Sequence, residues 1–205
     1  MKFSPPSDPA SAGMPIQHDL ARGEPVLLDD VPQRIFLDSC VLQVMHRYGG
    51  FLYENESLPH KDPIRLDPLG EAKLDALRAI LQVSERGSFE FALSENSLAE
   101  VGRAQDSSYL RWAYDLLDYW LAFEAADIRS ELPARLVMTS ASLGYLSEGD
   151  RALLADALAL NCDAFLTVES RLPKNSQHIE KVTGLRVLTP IGMWDLLRPW
   201  AALFR

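Results

Sequence analysis

The chain has 205 residues, 47% hydrophobic and 24% charged, which is enough to bury a core without disulfides or structural metals. This composition excludes a chain that is disordered throughout. Twenty Lys and Arg residues against 29 Asp and Glu residues give a formal net charge of -9. This charge argues against a protein that binds nucleic acid through an overall positive charge.

The cysteine pattern and the hydropathy bear on the class of protein. Cys40 and Cys162 lie far apart without zinc-type spacing, so neither a zinc cluster nor a disulfide framework is indicated. The first 20 residues lack the apolar stretch of a signal peptide, and nowhere do about 18 apolar residues run together. We therefore expect a cytoplasmic protein that does not associate with a membrane.

The predicted elements begin after a proline-rich arm. Residues 1–25 hold five of the 13 prolines, with serine, glycine and alanine between them, and this composition predicts a flexible arm ahead of a single domain at 26–205. Apolar periodicity and turn residues then predict, in chain order, a strand at 35–37, a helix from Cys40, a loop or broken helix at 49–70, a helix at 71–86, a strand at 89–93, helices at 95–103, 107–126 and 147–161, strands at 164–167 and 185–188, and a helix at 190–197. This alternation is typical of a parallel sheet covered on both faces.

Four acidic residues lie near the predicted carboxyl ends of these strands. Asp38 directly follows the first strand, and Glu169 lies two residues beyond the third. Glu100 lies in the helix after the second strand, and Asp150 lies in the first turn of the helix that precedes the third. Because open α/β sheets bind ligands beyond the carboxyl ends of their strands, we expect the four carboxylates to converge there.

A cluster of carboxylates implies a cation. Carboxylates a few ångströms apart repel one another, so an unneutralised cluster would protonate or separate. Oxygen ligands without nearby histidine or cysteine favour Mg²⁺ or Mn²⁺ over Zn²⁺, and such ions support phosphoryl chemistry. The pattern therefore predicts metal-dependent phosphodiester hydrolysis.

Four segments resemble the PIN-domain nucleases: IFLDSCVL at 35–42, ALSENSLAEV at 92–101, DRALLADALALNCDAFLTVESRL at 150–172 and GLRVLTP at 184–190. In the third and most specific segment, the acidic residue Asp150 lies at the start of a helix. Asp163, 13 positions further on, directly precedes a strand, and Thr167-Val168-Glu169 lies at the end of that strand. The resemblance spans residues 34–198, although 49–90 and 104–146 match only as helical segments.

The resemblance implies a three-layer α/β/α fold with a central parallel sheet and extra helices, and a metal-dependent ribonuclease activity. Glu169 would be an outer-sphere ligand or a water-positioning group, and Arg171 and Lys174 follow it where a phosphate backbone would pass. The residues implied as catalytic and as ligands of Mg²⁺ or Mn²⁺ are Asp38, Glu100, Asp150 and Glu169.

The resemblance also implies partners. Small members of the family are often VapC-type toxins of toxin-antitoxin pairs and commonly dimerise, so RNA, an antitoxin protein and a second copy of the chain are the implied partners. At 205 residues the chain exceeds the usual toxin length. It also departs from the family pattern, because Glu169 replaces a more frequent aspartate and Cys40 occupies a position where asparagine or serine would orient Asp38 or the metal water. The alternative function is therefore a catalytically weak PIN-like domain that serves as a binding or scaffold module.

Several residues have simpler explanations. Ser147 to Asp150 has the sequence of a helix capping box, which by itself accounts for Asp150. Glu95 competes with Glu100, but its place in a first helical turn is explained by capping. A phosphatase that uses Asp38 as phosphoacceptor is disfavoured, because Cys40 stands where the haloacid type has a second aspartate.

Other chemistry-bearing residues are given no role at the site. We expect Asp163 to serve the turn before its strand, Asp156 to face away from Asp150 and Asp29-Asp30 to be solvated. The four histidines lack ligand spacing. An aromatic series is expected to belong to the core, with a partner surface as the alternative: Trp112, Tyr119, Trp120 and Phe123.

Overall fold

The computed structural model describes residues 27–103, 106–120 and 132–204. The predicted arm at 1–25 and the last part of the predicted helix at 107–126 lie outside the described residues. Within them the elements are β1 (Arg34–Leu37), α1 (Ser39–Arg47), α2 (Gly49–Tyr53), α3 (Gly70–Ser84), β2 (Glu90–Ala92), α4 (Glu95–Gly102), α5 (Ser107–Trp120), α6 (Leu132–Thr139), α7 (Glu148–Ala159), β3 (Ala164–Leu166), α8 (Ser176–Thr183), β4 (Arg186–Leu188) and α9 (Pro190–Leu197). Short 3-10 helices lie at Leu28–Asp30, Pro63–Leu66, Ala141–Leu143, Pro173–Asn175 and Arg198–Phe204.

The four described strands form one sheet, in which all neighbours are parallel and the order is β2-β1-β3-β4. Ile35 of β1 is in register with Phe91 of β2 and Ala164 of β3. The chain places β2 on one side of β1 and β3 on the other, so its direction of winding reverses between β1 and β3. Such a switch point leaves a crevice at the carboxyl ends of the two central strands.

The α/β class and the parallel sheet are confirmed, and apolar side chains cover both faces of the sheet. Ile35 and Leu37 pack into one cluster with residues of α1, α3 and α9, whereas Phe36 packs into a second cluster with residues of α7 and α8. Phe36 stacks on Phe165 of β3 with ring centroids 5.4 Å apart. Since successive strand residues point to opposite faces, the sheet is buried on both sides. This arrangement is compatible with a three-layer α/β/α fold.

The amino end of the sheet is held by Asp163. Its carboxylate accepts hydrogen bonds from the backbone N–H groups of Gln33 and Arg34, both at 2.9 Å. The expected role of Asp163 in the turn before its strand is confirmed, and the residue lies at the sheet edge opposite the predicted site. Among the helices described, none is both long enough and apolar enough to cross a lipid bilayer.

Candidate active site

Asp38 stands where β1 ends and α1 begins. Its backbone N–H donates to the carbonyl of Leu166 at 3.0 Å, so the parallel pairing of β1 with β3 fixes its position. The side chain is 7% exposed, and the Thr167 hydroxyl, itself fully buried, donates to Asp38 Oδ2 at 2.6 Å. A short hydrogen bond to a buried carboxylate is a strong one, so Thr167 holds this group in a defined orientation.

Cys40 also orients Asp38, contrary to the expectation from the sequence. Its Sγ donates to Asp38 Oδ2 at 2.9 Å and lies 3.2 Å from Thr167 Oγ1. The first turn of α1 brings the thiol back over the residue that precedes the helix. Burial, followed by the charge of Asp38, raises the pKa of the Cys40 thiol, so it stays protonated and acts as a donor.

Glu100 reaches the same edge from α4. Ser39 Oγ donates to Glu100 Oε2 at 2.5 Å, so one hydroxyl connects Glu100 to the residue next to Asp38. A Cβ atom added at Gly149 would lie 3.3 Å from Glu100 Oε1, which shows how closely this carboxylate approaches the first turn of α7. Glu100 therefore lies between the starts of α1 and α7, whereas Glu95 is exposed at the first position of α4.

Asp150 is a capping residue as well as a candidate ligand. The backbone N–H of Ser147 donates to Asp150 Oδ2 at 3.2 Å, and the backbone N–H of Asp150 donates to Ser147 Oγ at 3.1 Å, which confirms the capping box. Asp150 Oδ2 also forms an ion pair with Arg171 Nη2 at 3.4 Å. The Asp150 carboxylate thus faces the segment that follows β3.

Glu169 lies in that segment, two residues beyond Thr167. Its backbone N–H donates to Thr167 Oγ1 at 3.2 Å, so the hydroxyl that orients Asp38 also fixes the Glu169 backbone. Partial burial raises the pKa of the Glu169 carboxyl, and the negative charges of Asp38, Asp150 and, least, Glu100 add to this effect. The positive charge of Arg171 opposes it. Glu169 is therefore close enough to all three other acids to respond to their charges.

The other residues given expectations from the sequence lie in different parts of the molecule. Lys174 is exposed beside the buried Pro173, and Asp29 is exposed within a 3-10 helix. Asp156 accepts a hydrogen bond from Asn96 Nδ2 at 2.5 Å. Trp112 packs against the core, as expected, while the side chains of Tyr119 and Trp120 and all of Phe123 lie outside the described residues.

The four acids have the oxygen donors that a divalent ion prefers, but their side chains are not spaced to hold one. Four carboxylates without histidine match the hard oxygen donors that Mg²⁺ and Mn²⁺ prefer. In the part of the chain that the structure describes, no group of three or more His, Cys, Asp or Glu side chains is arranged to hold a metal ion. The oxygens accept from Thr167, Cys40 and Ser39 or pair with Arg171 instead. Binding an ion therefore requires the carboxylates to draw closer together.

Sequence reasoning missed the groups that hold the acids. Ser39 and Thr167 carried no predicted role, although each is a hydroxyl next to a strand end, which is the available signal. Tyr109 of α5 was also missed. It is 3% exposed and its hydroxyl donates to the Ser39 carbonyl at 3.4 Å. Burial, then the nearby Cys40 and acids, raises the Tyr109 pKa, so it remains a neutral donor.

Comparisons of this chain with protein-family models, with curated proteins and with solved structures find no match.

Proposed function

We propose that the chain is a PIN-like ribonuclease that depends on Mg²⁺ or Mn²⁺ and hydrolyses phosphodiester bonds at the carboxyl edge of its sheet. The observation that carries the proposal is the position of the acids. Asp38 and Glu169 follow the two strands on either side of the switch point, and Glu100 and Asp150 border the same crevice from α4 and α7. A crevice at a switch point is where open α/β folds place their ligands.

The sheet supports the finer fold assignment. Its order, its uniformly parallel pairing and its two buried faces are compatible with a three-layer α/β/α domain with extra helices. The resemblance in sequence falls on β1 with α1, on β2 with α4, and on α7 with β3, and these are the elements that bring the four acids to the crevice.

Each acid has its own part in the proposed reaction. Asp38, oriented by Thr167 and Cys40, and Asp150 would hold the ion directly, and Glu100 would be the third ligand. A divalent ion held by these residues would supply Lewis-acid chemistry for phosphodiester hydrolysis. Glu169 accepts a hydrogen bond from the attacking water and aims it at phosphorus. The proposed reaction is direct attack by water, without a covalent intermediate with the protein.

The substrate approaches a negatively charged protein. Because the chain has a net charge of -9, it repels RNA at long range, and RNA binds only where it docks locally. Arg171 and Lys174, both exposed, supply positive charge beside Glu169 for the phosphates on either side of the scissile bond. A toxin role with an antitoxin partner and a homodimer rests on the resemblance in sequence alone.

Cleavage of a mixed RNA pool tests the proposal. We expect wild-type protein to cleave RNA with added Mg²⁺ or Mn²⁺ and not with EDTA, and Asp38→Asn to lower the rate by about 100-fold or more, since even groups that only support a metal ligand are worth about 10- to 100-fold. Asp29→Asn removes the same charge from an exposed residue in the 3-10 helix at Leu28–Asp30 and is the matched control. Equal rates for wild type and Asp38→Asn would remove Asp38 from the mechanism.

A second candidate function is a catalytically weak PIN-like module that binds a partner. It is favoured by the protein donors that the carboxylates already have, above all Thr167 on Asp38 and Arg171 on Asp150. Melting temperature separates the two candidates. An ion that binds only the folded state adds about 2.7 kcal/mol at 100 times its dissociation constant. Stabilisation by Mn²⁺ supports the nuclease, whereas its absence supports the scaffold.

A further inference from the structure

Asn96 and Asp156 form a polar contact between α4 and α7. Asn96 Nδ2 donates to Asp156 Oδ2 at 2.5 Å, and Asp156 is 4% exposed. Asp156 is the one charged residue among the five buried residues of α7, and the others are leucine or alanine. A hydrogen bond to a buried carboxylate is strong and directional, whereas apolar contacts have no preferred direction. The pair therefore fixes where α4 lies along α7 more strictly than apolar packing does.

The same faces of the two helices meet a second time at Glu100. Asn96 and Glu100 are four residues apart, so they lie on one face of α4. Gly149 and Asp156 are seven residues apart, so they lie on one face of α7. A Cβ atom added at Gly149 would lie 3.3 Å from Glu100 Oε1. The helices thus pass each other in opposite directions, and a shift of one along the other moves both contacts together.

The position of α4 also decides the contact of Glu100 with α1. Ser39 Oγ donates to Glu100 Oε2 at 2.5 Å, and Ser39 is 8% exposed. A shift of about 1.5 Å, the rise of one helical residue, is enough to take a contact of this length out of hydrogen-bond range. The bond between Ser39 and Glu100 is therefore sensitive to the register of α4 on α7.

We propose that Asn96 and Asp156 are positioning residues that set the register of α4 along α7 and thereby hold Glu100 against Ser39 at the carboxyl edge of the sheet. The relevance of this register to catalysis rests on the proposed function, in which Glu100 is one of the four acids of the site. The register itself involves no metal ion, so it can be measured in metal-free protein.

A double-mutant cycle in EDTA is the test, with the melting temperature Tm as its readout. Ser39→Ala removes the hydrogen bond to Glu100 and lowers Tm. In the Asn96→Ala background we expect Ser39→Ala to lower Tm by less than about half as much, because the bond is already weakened, whereas changes at independent sites add. Glu95→Ala, at the adjacent exposed position of α4, is the matched control, and in its background Ser39→Ala should have its full effect.

Exchange of the two side chains separates a positional role from a general loss of stability. Asn96→Asp combined with Asp156→Asn restores one amide donor and one carboxylate acceptor with their places exchanged. We expect the full effect of Ser39→Ala on Tm to return in this background. If Asn96→Ala does not fold, Asn96→Ser replaces it in the cycle, since the serine hydroxyl is polar but too short to reach Asp156 from the same backbone position.

The outcomes keep this inference distinct from the proposed function. Additive losses of Tm for Ser39→Ala and Asn96→Ala would overturn the inference, as would an exchanged pair in which the effect of Ser39→Ala stays reduced. A reduced effect in the Glu95→Ala background would overturn it as well, because the contact with Asp156 would not be the cause. None of these measurements needs a metal ion or RNA, so a failure of RNA cleavage overturns the proposed function and leaves the register in place.

Discussion

Replacing Thr167 with valine tests the support of Asp38 at the centre of the crevice. The threonine is fully buried, and its hydroxyl donates to Asp38 Oδ2 at 2.6 Å while accepting from the Glu169 backbone N–H at 3.2 Å. Valine has nearly the same shape, so the substitution removes these two hydrogen bonds without opening a cavity. The buried Asp38 carboxylate then keeps the weaker donor Cys40.

The expected cost follows from these contacts. A hydrogen bond to a charged group contributes about 1.5 to 3 kcal/mol. The second bond joins a backbone group near the surface, where water replaces the lost partner, so it adds little. We therefore expect Thr167→Val to lower the free energy of unfolding by about 2 kcal/mol.

Urea denaturation in EDTA measures this loss. Thr139→Val is the matched control, because the exposed Thr139 hydroxyl donates to the Arg135 carbonyl within α6 and to no buried carboxylate among the described residues. We expect it to change stability by less than about 0.5 kcal/mol. Equal losses for Thr167→Val and Thr139→Val would refute the argument that Thr167 holds a buried carboxylate.

Two further predictions concern the core and the pH dependence. Phe165→Ala removes a fully buried ring that stacks on Phe36 and should lower the free energy of unfolding, measured in urea, by about 3 to 5 kcal/mol. Leu66→Ala, at an 85% exposed position, is the control and should lower it by less than about 0.5 kcal/mol. Similar losses for the two variants would contradict the assigned core. Partial burial and the neighbouring carboxylates raise the pKa of Glu169 above its ordinary value of 4.5, so in metal-free protein the folded state binds more protons at this residue than the unfolded state does. The free energy of unfolding therefore falls as the pH rises above 4.5. Glu169→Gln lacks this loss and should gain stability over wild type between pH 4.5 and 7, with the exposed Glu54→Gln as control; no gain would contradict the clustering of negative charge.

Much of the fold follows from local sequence pattern. A continuous apolar run such as Ile35 to Leu37 predicts a strand buried on both faces, and all four described strands lie within two residues of their predicted positions. The pattern failed at α8, whose sequence SQHIEKVT has one fully buried apolar residue, Ile179, and therefore no apolar stripe. Its end at Gly184, with φ of +79°, is set by a left-handed conformation that glycine adopts at low cost.

The placement of the four acids near one edge of the sheet was predictable from the sequence, whereas their contacts were not. Acids at strand ends are visible in the sequence, because all parallel strands end at the same edge. The bond from Ser39 to Glu100 joins residues 61 positions apart and depends on how α4 packs against α1. The pairing of Asp150 with Arg171 likewise depends on side-chain directions that no local pattern encodes.

Anomalous scattering from a crystal soaked in Mn²⁺ tests most directly whether the four carboxylates share one metal ion. The account predicts one strong peak in the crevice, within bonding distance of Asp38 and Asp150 and close to Glu100 and Glu169. Absence of a peak there, with Asp38 still bound by Thr167 and Asp150 still paired with Arg171, would contradict it.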